Sequence, residues 1–511
     1  MIVRLPPFVN GIIPDSLWII TPIFVHFTIY SPEKAKPLRP GIAFGKRLGY
    51  NMPESVPFFG EETRKPQRSV GPALPPGGQI LPLYRRVPKT HRRKVKKMDR
   101  AFYTGNREKL ASQLKPGTLA LFFSGEEIRK TNDEYYPFFA DRNFVYLTGI
   151  EQKQSVLVIM KDGSRVTERL YLLPGDLMAE RWTGRRLKPA EAEAVSGVAD
   201  IRSTDSFLLE LHALASCGKF GFLALDLYRV SPEDIDRPAH RLHALAAREW
   251  PYLAIDNANT ILRSLRTVKQ PCEIAALRQA EEITGAGILA MMKASRPGMY
   301  EYQYKAEFDR VLGQYGPKGP GFPSIISAGR NNFCIHYYSY TGQAMDGDMV
   351  LNDVGAQWDN LITDVSRGWP CNGRFSDRQK LLYQCALATS NHMFSILKPG
   401  FAMEEVDAEI RRYNAQQLKD AGVLKDTADI GKLMWHGGAH HIGFDVHDVV
   451  ERPEKVAPGM VFCVDVGIYH EDWGIGFRLE DNCLITETGC ENLSASIPRT
   501  IADIEAVMAK R

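Results

Sequence analysis

The chain has no cysteine before Cys217, and its eight cysteines form no CxxC pair. That excludes a disulfide framework and a zinc ribbon, and free thiols in a large chain point to a reducing, cytoplasmic compartment. No apolar run is long enough to cross a bilayer: the stretch 17–30 is interrupted by Pro22 and His26. A secretory signal fits poorly, because only Arg4 precedes that run and Ser31-Pro-Glu-Lys makes a poor cleavage site. No solenoid period is present. Basic excess is missing from most of the chain. Residues 1–97 hold 17 Lys/Arg against 5 Asp/Glu (+12) and the remainder 47 against 55 (−8), which together give the net +4. A nucleic-acid surface is therefore not expected in the folded part.

What is there suits a globular protein of two or three domains: 511 residues, 44% hydrophobic and 24% charged. Strand-like runs at Thr118–Phe123, Phe144–Leu147, Ser155–Met160 and Leu170–Leu173 alternate with helical patterns at Ala190–Val198 and Ser206–Ala215. This predicts an α/β domain over 98–263. From residue 264 to 511 the pattern changes. Helices are predicted at Glu273–Met292, Glu301–Tyr315, Arg378–Leu397 and Glu404–Ala421. Strands are predicted at Ile325–Ala328, Met349–Ala356, Leu361–Trp369, Met460–Tyr469 and Phe477–Thr486. Helices outside antiparallel hairpins make an α+β layer.

The chemistry sits in the strands of this second half. Met349–Arg367 reads as a hairpin turning near Trp358–Asn360, with Asp353 and Asp364 on opposite arms among apolar residues. Cross-strand neighbours lie about 5 Å apart. Two carboxylates that close do not both ionise unless a cation lies between them. Asp359, at the turn itself, is read as a turn residue. Four of the twelve histidines, His436, His440, His441 and His447, fall in one glycine-laced segment, and imidazole both ligates metals and moves protons. Asp465 and Glu480 each interrupt a further apolar strand. As a set these residues point to a divalent-metal site for hydrolysis.

The set resembles the Xaa-Pro aminopeptidases, and more broadly the pita-bread metallopeptidases that include prolidase and methionine aminopeptidase. The resemblance implies an α+β architecture, with a C-terminal pita-bread catalytic domain behind an α/β creatinase-like N-terminal domain. It implies that Asp353, Asp364, His440, Asp465 and Glu480 hold two divalent ions, most readily Mn2+. His440 matches the ligand because it stands four residues after His436 and seven before His447. His336 and His447 match substrate and transition-state histidines, His436 and Arg478 match pocket residues, and Glu480 is implicated in proton transfer. The implied substrates are peptides with proline in second position. A homo-oligomer, dimer or tetramer, is implied as well, since Trp182-Thr-Gly-Arg-Arg186 resembles a loop that reaches a neighbouring subunit in some members. The stretch Tyr136–Gly149 resembles the N-terminal domain signature.

One ligand departs from the family pattern: Asp465-Val-Gly467 stands where the family has Glu-Pro-Gly. Two rival readings therefore stay open, a prolidase restricted to dipeptides and a non-catalytic pita-bread module that binds peptides. A metal-free creatinase-type site is disfavoured, because four clustered carboxylates would stay unneutralised.

The resemblance starts only near Phe102. Residues 1–97 hold 15 of the 32 prolines and end in the basic run Lys89–Lys97, which predicts a poorly ordered extension. Regular pattern begins at Met98-Asp-Arg-Ala-Phe-Tyr, so Met98 is the expected native start. Intact mass of the natively expressed protein checks this. A mass that includes residues 1–97 would rule it out.

Overall fold

The computed structural model describes residues 98–316 and 318–510; the extension expected over 1–97 lies outside the described residues. The first half is built on a mixed six-stranded sheet. Its spatial order is Ile201–Ser203, Arg165–Leu172, Val156–Asp162, Thr118–Phe123, Phe222–Leu225 and Ala254–Asn257. Alternation decides which side chain goes to which face. Ala120, Phe122, Leu157 and Ile159 pack on the helix Arg100–Gln113. Their neighbours Leu119, Leu121, Val156 and Val158 pack with Leu211, Ala215, Leu242 and Ala246 of two helices, Phe207–Ser216 and Pro238–Glu249. Because both faces are covered, the central strands read as continuous apolar runs.

One expected strand is a helix. Phe144–Leu147 lies inside Arg142–Thr148, capped by Asp141, whose side chain accepts from the Asn143 and Phe144 amides, and ended by Gly149 in the left-handed region. All seven residues of that helix are buried, and a short run buried all round has no periodicity to separate helix from strand.

In the second half the helices Pro271–Ala294, Glu301–Leu312, Asp377–Ile396 and Glu405–Asp420 pack around two three-stranded antiparallel sheets. One sheet has the order Val365–Pro370, Met349–Val354, Ile325–Ala328, and the other Val461–His470, Ile475–Ile485, Cys490–Asn492. The predicted helices and strands are present here, with ends shifted by a few residues. The run Leu361–Trp369 divides into Leu361–Ile362 and Val365–Pro370. Among the described residues, no helix is long and apolar enough to cross a membrane.

No gap opens near residue 263. A single apolar cluster joins Phe102, Tyr146 and Leu277 to Phe444, Val461 and Leu484, and the Tyr146 and Phe444 rings meet edge to face at 5.6 Å. Beside it, Arg266 donates to Asn143 Oδ1 at 2.7 Å and to Asp445 Oδ2 at 2.8 Å, and it also reaches Asp448. Lys269 Nζ donates to the other oxygen of Asp448 at 2.7 Å. Burial alone would raise the Asp448 pKa, but Arg266 and Lys269 overcome it and hold the acid at about 2. This cluster clamps the segment that carries His447 to the first half of the molecule. Asp448→Ala strands two buried cations, so urea unfolding is expected to show a loss of about 3–5 kcal/mol. A loss below about 1 kcal/mol would contradict the clamp, since that is the size of an exposed pair.

Candidate metal centre

The hairpin that carries the first two aspartates turns at Asp359 and Asn360, with φ of 50° and 69°. Positive φ at both positions matches the right-handed strand twist. Asp359 also accepts the Met98 backbone amide at 2.6 Å, so it serves the turn and not the site. Asp353 stands opposite Ser366, which makes Asp364 its diagonal rather than its direct neighbour. Between the two acids the arms close tightly. A Cβ on Gly355 would lie 1.7 Å from the Thr363 carbonyl oxygen, so only glycine fits.

The second hairpin places Asp465 directly opposite Glu480 and Gly467 opposite Arg478. Hydrogen bonds lock the two hairpins together. Ser366 Oγ donates to Glu480 Oε2 at 2.9 Å, and the Asp364 amide donates to Asn482 Oδ1 at 3.0 Å. Buried Arg367 pairs with buried Asp481 at 2.7 Å. His440 arrives from the loop before the second hairpin, fixed by the Cys463 amide, which donates to its carbonyl at 2.9 Å. Its Nε2 lies 3.5 Å from Asp364 Oδ2 and 3.7 Å from Glu480 Oε1.

Each of the four acids has an oxygen without a protein partner. Asp353 Oδ2 takes a 2.8 Å bond from Arg478, while its Oδ1 is buried and unpartnered. Asp364 Oδ1, Asp465 Oδ1 and Glu480 Oε1 are buried and unpartnered too. Leaving a buried acceptor unmade costs about 1–3 kcal/mol, and native proteins hold few such atoms. Four of them on two adjoining hairpins fit a cation site. Two groups of ligand atoms lie within 4.8 Å of one another: Asp353, Asp364 and Glu480, and His440, Cys463 and Glu480.

Asp465 belongs to neither group. Its Oδ2 lies 3.2 Å from His436 Nδ1, and its backbone amide donates to Gly438 at 2.8 Å. His436 Nδ1 also contacts the Gly437 carbonyl at 2.8 Å. A carbonyl only accepts, so Nδ1 carries the proton and Nε2 accepts from Tyr469 Oη at 3.0 Å. That approach is possible because residue 467 is glycine: a Cβ there would lie 2.3 Å from His436 Nε2. Arg478 donates to Tyr469 Oη at 2.9 Å. It is 2% exposed, and its guanidinium is engaged by Tyr469 and Asp353.

His447 stacks edge to face with His440 at 4.2 Å between ring centres. It is exposed at the mouth of a cleft lined by Tyr228 and Arg263 from the first half and by His440, Met403 and Arg452 from the second. His336 is also exposed; partial burial and then His336 lower the pKa of His447. The neighbouring His441 is 4% exposed, packs on Phe462 and leaves both ring nitrogens unpartnered. Ser366, Tyr469, Asn482 and Cys463 join the site without being expected from sequence. Period-two counting from Asp364 and Asp465 reaches Ser366 and Cys463; Tyr469 and Asn482 depend on the packing of the hairpins.

The electrostatics follow from burial. It raises Asp364 well above the carboxylate range, with Glu480 and Asp353 adding to the effect. Glu480 is raised in the same way, with Asp465 and Asp353 adding. Asp465 is pushed up to about 8 by burial, opposed by Arg478 and reinforced by Asp353. His440 is lowered to about 4 by burial and then by His447, which leaves it neutral with a free lone pair near pH 7.

These shifts carry a sign. A carboxyl whose pKa is raised by folding binds more protons folded than unfolded. Its contribution to the metal-free protein is therefore full below the ordinary 3.8 and is lost as pH rises through about 8. A divalent cation replaces the protons and cancels that loss. The Tm gap between metal-loaded and chelator-treated protein is expected to widen from about pH 5 to about pH 8. A gap that stays constant or narrows would contradict this electrostatic picture.

Known proteins share both halves. Residues 103–220 match the aminopeptidase P N-terminal domain, and residues 275–487 match metallopeptidase family M24. The Xaa-Pro aminopeptidase of Escherichia coli (strain K12) is 31% identical over 438 residues, covering 81% of this chain and 99% of that protein. Xaa-Pro aminopeptidase 3 of Rattus norvegicus is 27% identical over 410 residues, covering 74% and 78%. A solved structure of E. coli aminopeptidase P with the inhibitor Pro-Leu matches with a TM-score of 0.75 at 30% identity, covering 81% of this chain and 99% of that one. The second half accordingly has the pita-bread fold. This chain belongs to the Xaa-Pro aminopeptidase family, an aminopeptidase P N-terminal domain joined to an M24 metallopeptidase domain.

Proposed function

We propose that this protein is a metal-dependent aminopeptidase that hydrolyses the bond between an N-terminal residue and a following proline. The observation that carries this reading is the set of four buried, unpartnered carboxylate oxygens on two locked hairpins, one of which, Glu480 Oε1, lies 3.7 Å from His440 Nε2. A peptide-binding module without metal would have no use for them. Its relatives named Xaa-Pro aminopeptidase support the substrate class.

Asp353, Asp364 and Glu480 would hold one ion, and His440 and Glu480 the other; Asp465, the fifth member of the set implied by the family, faces His436. The ions, when bound, supply Lewis-acid polarisation and a water of lowered pKa. Manganese suits the first position, whose donors are all oxygen. The chain's own groups do the rest. Glu480 would carry a proton from the attacking water to the leaving proline nitrogen. His447 donates a hydrogen bond to the carbonyl oxygen as charge develops there. His336 and His436 border the substrate, and Arg478 holds Asp353 and Tyr469 in register behind them. Tyr228 and Arg263 close the cleft from the N-terminal half, which supports a role for that half in limiting and orienting the peptide.

Two further features fit. All eight cysteines are free, which supports a reducing, cytoplasmic setting. The helix Leu177–Thr183 buries none of its residues, with Leu177 78% and Trp182 83% exposed. An apolar surface of that kind supports a homo-oligomer, a dimer or tetramer.

With added manganese and zinc, a tripeptide carrying proline second should lose its first residue, and Glu480→Ala should lower that rate by more than about 100-fold, beyond the cost of an outer-shell partner. Cleavage of Xaa-Pro dipeptides alone would point to a prolidase. Bound metal with no cleavage of either would overturn the peptidase reading.

A further inference from the structure

The five-ligand set inferred from the family leaves the position beside His440 short of a donor. Asp465 is one methylene shorter than the family's glutamate, and its Oδ2 is turned to His436 Nδ1 at 3.2 Å. No Asp465 oxygen joins the tight group of atoms around His440. A different donor does. Cys463 stands two residues before Asp465 on the strand Val461–His470, so both side chains leave the same face. Its Sγ lies within 4.8 Å of a ligand nitrogen of His440 and a carboxylate oxygen of Glu480. Within that group Glu480 is 2% exposed, and its Oε1 has no hydrogen-bond partner.

We infer that Cys463 is a metal ligand of this protein, supplying sulfur to the ion held by His440 and Glu480 in place of the missing reach of Asp465. The inference rests on the metallopeptidase reading above and goes beyond it, because it makes the two metal positions chemically unlike.

Without a cation, burial and the nearby Glu480, Asp364 and Asp465 carboxylates keep the Cys463 thiol protonated, so the bound ion itself must displace the proton. Cys463 is fully buried, which keeps solvent oxidants away from it. The His440 backbone amide donates to Sγ at 3.3 Å, and a hydrogen bond of that kind orients a ligand and steadies charge on it. The same residue thus offers its ring to the ion and its amide to the sulfur. On binding, an S–metal bond forms and the thiol proton leaves to solvent, so metal uptake releases one proton at this residue.

Selectivity follows from donor type. Asp353, Asp364 and Glu480 are hard oxygen donors suited to manganese. A nitrogen, sulfur and carboxylate set favours zinc or cobalt over manganese. One chain would then hold a harder and a softer ion a few ångströms apart, and manganese alone would fill the second position poorly.

Cobalt reports on this directly. The full chain is loaded with Co2+ alone, and its absorption is compared with that of Cys463→Ser and Cys463→Thr, either of which serves if the other fails to fold. The expected result is a sulfur-to-cobalt charge-transfer band in the near ultraviolet that is lost in the variants, while the visible d–d bands remain. X-ray absorption on the zinc-loaded protein should show a sulfur shell near about 2.3 Å, absent from the variants. Cobalt bound with d–d bands but no charge-transfer band, or a band that survives in Cys463→Ser, would overturn the thiolate ligand and leave the metallopeptidase reading standing. Failure of the wild-type chain to bind cobalt or zinc would overturn both.

Discussion

Everything near the centre of this molecule follows from one constraint: four carboxylates are packed at the junction of two β-hairpins, in a place nearly shut off from water. Asp364, Asp465 and Glu480 are 4%, 7% and 2% exposed, and like charges so placed repel strongly in a poor dielectric. The fold answers part of this with buried arginines. Arg478 takes one oxygen of Asp353, and Arg367 takes Asp481 behind the site. Neither gives a hydrogen bond to the four unpartnered carboxylate oxygens. Those are left for cations, and the surrounding architecture serves to keep them in place.

Holding them takes both hairpins and the loop between. Gly355 lets the arms of the first hairpin close, Ser366 and Asn482 tie it to the second, and Gly467 makes room for His436. The clamp of Arg266, Lys269 and Asp448, with Arg266 also bonded to Asn143, then fixes the loop with His447 to the N-terminal half. That half is therefore part of the active site's support, and it does more than cap the cleft. A shared apolar cluster running from Phe102 to Leu484 makes the same point in packing terms.

Much of this architecture is legible in the amino-acid sequence. The turn near Trp358–Asn360 and the apolar setting of Asp353 and Asp364 betray a hairpin with acids out of place, because carboxylates seldom interrupt buried strands without reason. The histidine segment is readable by spacing. Other features are not. Phe144–Leu147 looks like a strand because a short helix buried on every side has no period to show. Arg478 matches a pocket residue by resemblance, while its burial depends on how two sheets pack, which no local pattern records. Cys463 is hidden because a cysteine inside an apolar run reads as core. Its neighbour Asp465, a ligand by resemblance, looks away toward His436 for want of one methylene. Side-chain reach decides that, and reach is a property of the assembled strand pair.

Metal stoichiometry at equilibrium tests the central claim most directly. Dialysis of the full chain against buffered manganese plus zinc, followed by elemental analysis, should find two divalent ions per chain, falling toward none when Glu480, common to both ligand groups, is replaced by alanine. A folded protein that retains no ion, or a Glu480→Ala variant that keeps both, would contradict the account.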